Sequence, residues 1–284
     1  VAEDSDWMAT ATGAEAAGGG RPPSAELHPE IAHPARIYNA LIGGKDNFAA
    51  DRLVAAQLTA AVPEAAAGAL ANRAFLGRAV RTAAALGVRQ FLDIGTGIPT
   101  AGNTHEVAQS VDPSARIAYV DNDPIVLAHA RALMSGCGHG ATSVTRADLR
   151  DTEAVLAAPG VRDLLDFSEP VALMLVAILH FVSDDEDPFG IVKRLLAALP
   201  TGSLLVLSHG SGDLVTPEQA ELAERSYDPA AAGIHLRTRD DIARFFDGLT
   251  LLEPGLVTAP RWRPDTAPGP DADRLGIYTG VARL

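Results

Sequence analysis

A chain of 284 residues with 47% hydrophobic content carries enough apolar surface for one large α/β domain with appended segments. Its 36 acidic and 23 basic side chains leave a net charge of −13 with no dense basic patch, which argues against a nucleic-acid partner. The single cysteine, Cys137, excludes an intrachain disulfide and a cysteine-based zinc cluster, and no apolar run exceeds Val171 to Leu179, too short to cross a bilayer, so a cytoplasmic protein with no membrane partner is expected.

Residues 1–30 lack the basic start and apolar run of a secretion signal, and their Ala, Gly, Glu and Asp content reads as a disordered tail. Residues 31–63 read as an N-terminal helical extension. Order begins at His33 to Ile42, and Gly43-Gly44-Lys45-Asp46-Asn47-Phe48 interrupts it as a polar turn. The main domain is expected over residues 64–284. Its first helix, Glu64 to Leu86, shows Leu70, Phe75, Leu76, Val80 and Leu86 as an approximate stripe and Gly87 as a stop.

Strand and helix patterns then alternate. Strands are predicted at Arg89 to Ile94, Arg116 to Asp121, Thr142 to Ala147, Val171 to Val176 and Ser203 to Ser208. Helices are predicted at Asn103 to Val111, Pro124 to Met134, in one or two pieces between Thr152 and Phe167, and at Phe189 to Leu199. Five strand-then-helix units imply an α/β fold, a Rossmann-like doubly wound sheet of about seven strands, mostly parallel. Helices at Pro217 to Ser226 and Asp240 to Phe246 break the rhythm. Two strand candidates follow, Leu249 to Val257 and Arg274 to Arg283, which can close the sheet as an antiparallel hairpin around the Pro-rich loop from Ala259 to Asp273.

Ligands of such sheets sit at the carboxyl ends of the strands. The first strand ends in Asp93-Ile94-Gly95-Thr96-Gly97, where glycines admit close approach and the following helix offers free N–H groups. Asn103 and Glu106 have the spacing of a helix cap and its reciprocal partner. Asp121, followed by Asn122, ends strand two, where a carboxylate can accept from a ribose diol. Asp148, followed by Leu149, ends strand three and is suited to accept from an adenine amino group.

These residues resemble class I S-adenosylmethionine-dependent methyltransferases. Together with Gly43 to Arg52, Gly102-Asn103-Thr104-His105-Glu106 and Ile178-Leu179-His180-Phe181, they resemble the actinobacterial S-adenosyl methyltransferase family, over roughly Ala32 to Leu284. The resemblance implies S-adenosyl-L-methionine as cofactor. It implies that Asp93, Gly95, Thr96 and Gly97 form the methionine turn, that Asp121 and Asn122 meet the ribose, and that Asp148 and Leu149 meet the adenine. Ala177 to His180 would lie beside the methionine at the end of strand four. The lengthened connection Ile98-Pro99-Thr100-Ala101-Gly102 departs from the usual turn.

Methyl transfer is an in-line displacement in which alignment supplies much of the rate, and a base is needed only for a protonated acceptor. His180 is the best candidate base, with pocket wall as the plainer alternative, and Asp46 is the second candidate catalytic group. Lys45, Asp46 and Asn47 belong to a turn that could fold over the pocket, with Tyr38 and Phe48 excluding water. His209 and Trp262 are candidates for the border of the acceptor site. The acidic run Asp184 to Asp187 reads as helix N-terminal charge, so no metal site is assigned. A small-molecule acceptor fits the acidic surface. Two rivals stand beside this reading: a nicotinamide-dependent oxidoreductase, disfavoured because the turn lacks a third glycine, and a cofactor-binding sensor without transferase activity.

Overall fold

Runs in which almost every residue is apolar on both faces build the centre of the molecule, as expected where helices cover a sheet on both sides. The computed structural model describes residues 28–134, 141–228 and 230–284, so Cys137 and nearly all of the expected tail lie outside the described residues. The chain opens with helices α1 (Pro34–Leu41), α2 (Ala49–Ala61) and α3 (Ala65–Ala85). Strand and helix then alternate as β1 (Gln90–Ile94), α4 (Thr104–Val111), β2 (Arg116–Asp121), α5 (Pro124–Met134), β3 (Thr142–Arg146), α6 (Thr152–Ala157), α7 (Pro159–Arg162), β4 (Val171–Val176), α8 (Pro188–Ala197) and β5 (Leu204–Gly210). Helices α9 (Pro217–Ser226) and α10 (Arg239–Ala243) precede β6 (Thr250–Leu251), β7 (Val257–Thr258) and β8 (Ile277–Arg283).

The sheet has the order β3-β2-β1-β4-β5-β8-β6, with β7 also paired to β8. The first five strands in that order are parallel, and β8 runs antiparallel to β5, β6 and β7. The fold is therefore the mostly parallel α/β sheet with an antiparallel end that the strand–helix alternation predicts. From β1 the chain steps outward through β2 to β3, then crosses back to place β4 on the other side of β1. That reversal opens a crevice above the carboxyl ends of β1 and β4. Its edges are plain: β3 carries Thr142, Ser143, Thr145 and Arg146, and β6 is two residues long.

One predicted element differs. The run from Leu249 to Val257 is not a single strand but two short segments, paired as Leu251 with Ala282 and Val257 with Thr279. Between them Pro254, which has no N–H to give to a ladder, and Gly255 at φ +86° turn the chain away from β8.

Two cores cover the sheet faces. One packs Leu92, Val120, Leu173 and Leu207 against Val155, Ile191, Leu195 and Phe245. The other packs Phe91, Ile117, Met174 and Val206 against Phe75, Ala79 and Trp262. A third cluster, Ile37, Val54, Leu58, Ala223 and Tyr227, joins α1 and α2 to α9. No single helix among the described residues is long and apolar enough to cross a membrane.

Trp262 belongs to the second core and not to the border of an acceptor site. It is fully buried, meets Phe75 edge-on at 5.3 Å, and its carbonyl accepts from Arg78 Nε at 2.8 Å. Apolar contact outweighed the indole's polar tip in deciding its place. Trp262→Ala should lower unfolding free energy by about 3–5 kcal/mol, the usual range for an emptied aromatic site, while leaving cofactor affinity unchanged. A denaturant melt and a calorimetric titration of the same variant check both halves; loss of affinity at unchanged stability would put Trp262 back at the site.

Candidate active site

The carboxyl ends of β1, β2, β3 and β4 surround a cavity of about 400 Å³, roofed by α1 and walled by α3. Asp93, Gly95, Thr96, Gly97, Asp121, Asn122, Asp148, Leu149 and Ala177 all line it, as does Tyr38. These are the nine residues assigned to the cofactor and one of those assigned to a lid.

The turn after β1 is held from below. Gly95 N–H donates to Val120 O at 2.8 Å, and the Thr96 hydroxyl donates to Asp93 O at 3.1 Å. Its two glycines serve different needs. Gly95, at φ +73°, lies so close to Ile178 that a Cβ would sit 2.6 Å from Ile178 Cγ1. Gly97, at φ +67°, has nothing within 4 Å of an added Cβ, so it presents bare backbone to the cavity.

The lengthened connection that follows is closed by side chains. Asn103 Oδ1 accepts from Thr100 N–H at 3.0 Å and from Arg73 Nη2 at 2.8 Å. Glu106 accepts from Gly102 N–H at 2.6 Å and Asn103 N–H at 3.0 Å, the reciprocal half of the predicted cap.

Two of the three strand-end acids are buried. Asp93 accepts from the Thr104 hydroxyl at 2.6 Å, and burial pushes its pKa up to about 6 against the pull of that bond and of Arg73. Asp121 accepts from Gly97 N–H and Asp123 N–H, each at 2.9 Å, and burial likewise pushes it up to about 6. Both therefore sit in surroundings that disfavour their charge, which a hydrogen-bonding or cationic ligand group would relieve. Asp148 is half-exposed, accepts from Asn122 Nδ2 at 3.1 Å, and is held by Arg150, which reaches on to Glu186 and the Phe181 carbonyl. Ala177, at the end of β4, adopts φ +56°, uncommon for a residue with a side chain, and its N–H donates to Ser208 Oγ at 2.9 Å.

The catalytic candidates fare differently. His180 does not line the cavity; it is buried, and its Nδ1 accepts the Gly210 N–H at 3.2 Å. That bond occupies the lone pair a base would use, and burial, with His209 and Arg237 nearby, holds the ring well below the usual histidine range. His180 is a neutral structural histidine. His209 lies within β5, not after it: Nδ1 donates to the Gly210 carbonyl at 2.6 Å, Nε2 accepts from Arg237 at 2.9 Å, and burial holds its pKa down to about 3. It too is absent from the cavity wall.

In the N-terminal turn, Lys45 and Asp46 are exposed and Phe48 lies under the Arg36 guanidinium, 5.3 Å from its ring centre. Asn47 Nδ2 donates to Asn39 Oδ1 at 2.8 Å and to Gly44 O at 2.9 Å, which fixes the turn itself. None of the four reaches the cavity, so Asp46 is not placed as a catalytic group. The roof is α1: His33, Tyr38, Asn39 and Ile42, rather than the turn after it. Asn72, Arg73 and Arg150 also line the cavity and escaped the sequence reading. Asparagine is a poor helix former, so its presence inside α1 and the Ala-rich α3 was the available signal.

The chemistry of the wall suits an adenosine joined to an amino acid: acids at the ends of β2 and β3 for hydroxyl and amino groups, bare backbone at Gly97, and the oppositely charged Asp93 and Arg73 at the other end. The sequence profile described as S-adenosyl methyltransferase matches residues 21–284. A protein of the DUF574 family from Streptomyces avermitilis is 44% identical over 90% of this chain and 99% of its own, with a TM-score of 0.86. A candidate methyltransferase from Thermobifida fusca is 41% identical over 92% of this chain and 98% of its own, with a TM-score of 0.84. An O-methyltransferase family protein from Burkholderia thailandensis, at 15% identity, 78% and 57% coverage and a TM-score of 0.50, shares the fold. No functionally curated protein matches the chain. With the profile spanning nearly the whole sequence, the chain belongs to the S-adenosyl methyltransferase family, whose cofactor is S-adenosyl-L-methionine.

Proposed function

We propose that the protein is an active methyltransferase that moves the sulfonium methyl group of its cofactor onto a small-molecule acceptor. In this reading residues 64–284 form the cofactor-binding domain and residues 31–63 its roof. The observation that carries it is one cavity that unites the Gly97 backbone, the strand-end acids and the underside of α1. When bound, the cofactor supplies a carbon already activated for displacement. Asp121, Asn122, Asp148 and Leu149 grip the adenosine, and Asp93 with Gly95, Thr96 and Gly97 orients the methionine. Ala177 fixes the close of β4 beside it. Tyr38 and Ile42 exclude water above. With His180 neutral and its lone pair occupied, alignment within this enclosure carries the rate and no histidine base takes part.

The net charge of −13 and the roofed cavity favour a metabolite over a nucleic acid. Incubation with methyl-labelled cofactor and a cell extract, then separation by size, tests this. Label should enter the low-mass fraction. Label in macromolecules alone would overturn the acceptor class, and saturable S-adenosylhomocysteine binding without any transfer would favour a sensor.

The two buried acids also give binding a pH dependence. Their charged forms meet the ligand, and in the free protein each takes up a proton near pH 6. Affinity for S-adenosylhomocysteine should be level above pH 7 and fall by more than tenfold by pH 5, with proton release on binding near pH 6. Calorimetry in buffers of different ionisation enthalpy reads both. An affinity independent of pH over that span would show that neither acid meets the ligand.

A further inference from the structure

We infer that Arg78, Arg81 and Arg263 form a second binding site, separate from the cofactor cavity, for a doubly charged phosphate group such as that of a soluble phosphate monoester. The inference does not depend on methyl transfer.

The site is a hollow between the end of α3, which supplies Arg78, Arg81, Thr82 and Leu86, and the loop after β7, which supplies Arg263 and Asp265. It shares no residue with the cofactor cavity, where the contribution of α3 ends at Leu76. Hydrogen bonds at two points lay the loop across the helix. Arg78 Nε donates to Trp262 O at 2.8 Å and its Nη2 to Ala259 O at 2.7 Å, while Arg81 Nη2 donates to Asp265 Oδ2 at 3.1 Å. Arg78 and Arg81 are neighbours on one helix face, and Arg263 lies between the two loop residues that they hold, so the three arginines surround one opening.

Arg78 carries the argument. The residue is only 8% exposed, and two of its guanidinium nitrogens are bonded to carbonyls. Its Nη1 has no hydrogen-bond partner among the described residues, yet it is not sealed from solvent as the orphaned nitrogens of Arg36 and Arg73 are, so its open side gives onto the hollow. Burial pushes the Arg78 guanidinium below its ordinary pKa; Asp265 pulls it up, and Arg81 pushes it down again. An anion in the hollow would relieve that cost. Arg263 holds φ +43°, uncommon for a residue with a side chain, and donates through Nε to Glu253 O at 2.8 Å, which leaves both of its Nη groups without a hydrogen bond among the described residues.

Charge fixes the ligand class. Three guanidinium groups share the single carboxylate of Asp265 here, in a chain with 36 acidic and 23 basic side chains. The local surplus of two positive charges matches a phosphate monoester, which carries about −1.5 to −2 at pH 7, and guanidinium forks suit its oxygens. A carboxylate ligand would leave half of that surplus unmet. The net charge of −13 repels an anionic bilayer or a nucleic-acid backbone, which favours a small soluble ligand over either polymer or membrane.

Titration of the full chain with inorganic phosphate at fixed ionic strength, followed by amide NMR shifts, tests the site. Saturable shifts should cluster at residues 78–86 and 259–265, with acetate binding about tenfold more weakly than phosphate. Arg81→Gln and Arg263→Gln alter exposed side chains, keep the Arg78 bonds, and should each weaken phosphate by about three- to tenfold. Asp265→Asn removes the competing carboxylate and should tighten phosphate by about threefold. Affinity for S-adenosylhomocysteine should stay within about twofold in all three variants, since the two sites share no residue. Shifts that never saturate, equal binding of acetate, or phosphate affinity unchanged in Arg263→Gln and Asp265→Asn overturns the site. Sedimentation with phosphatidic acid vesicles that Arg263→Gln abolishes, without saturable binding of inorganic phosphate, would assign the arginines to a lipid headgroup and overturn the soluble ligand.

Discussion

Replacing Asp93 with asparagine should make the free protein more stable and its cofactor complex weaker. Burial lifts the Asp93 pKa from 3.8 to about 6, so keeping it ionised at neutral pH costs about 3 kcal/mol of folding free energy. An amide of the same shape avoids that cost and can still accept the Thr104 hydroxyl. The sign follows from proton uptake: between pH 3.8 and 6 the folded state holds the proton more tightly than the unfolded one, so wild-type stability falls as pH rises through that window. The gain of Asp93→Asn should therefore be full at pH 7 and vanish near pH 4. Affinity for S-adenosylhomocysteine should fall about ten- to hundredfold, because the amide cannot offer a charge to the ammonium. Urea melts at pH 4 and 7 with calorimetry at pH 7 check the pair of effects. Stabilisation with unaltered affinity would mean that the turn does not hold the methionine.

Gly95→Ala and Gly97→Ala should fail in different ways. At Gly95 the new methyl group meets Ile178 Cγ1 at 2.6 Å and Ile178 Cβ at 2.9 Å, and the second of these cannot swing aside. Left-handed backbone adds about 1–2 kcal/mol and overpacking about 1–3 kcal/mol, so the variant should be destabilised by several kcal/mol and bind poorly. Adding Ile178→Ala should recover part of the stability by removing the clash. At Gly97 the added methyl meets nothing, so only the backbone contribution remains and stability should drop by about 1–2 kcal/mol. That methyl projects into the space the proposed function gives to the cofactor, and affinity should fall by at least a hundredfold. A Gly97→Ala protein that binds S-adenosylhomocysteine as wild type does would refute the assignment of that backbone.

The sheet was legible because parallel strands must be apolar on both faces and their connections must be helices, constraints that act within a few residues. The strand-end acids were legible for the same reason: once the strands are placed, their ends are placed. What escaped depends on contacts between distant segments. His180 and Ala177 sit three residues apart, yet one faces the cavity and the other turns inward to the Gly210 backbone, a choice made by β5 and not by local pattern. Trp262 was drawn under α3 by Phe75 and Arg78, 184 residues from Arg78 along the chain. The polar turn at Lys45 to Phe48 attracted notice for its composition, but it bonds back to Asn39 of α1, seven and eight residues earlier, whose burial no short-range rule reveals.

The two margins of the eight-stranded sheet bear on how the protein behaves at high concentration. A free strand margin is a template on which another chain can add by backbone pairing, and long apolar margins invite uncontrolled self-association. Here one margin is β3, whose Thr, Ser and Arg side chains are poor zipper material and whose Ser143 hydroxyl is tied to the Gly160 carbonyl of α7. The other is made of β6 and β7, each two residues long. Neither offers the run of matched apolar residues that fibril growth requires. Among the described residues, the sheet therefore offers bare backbone to a ligand at the turn above Gly97 and keeps its lateral margins poor in apolar matches.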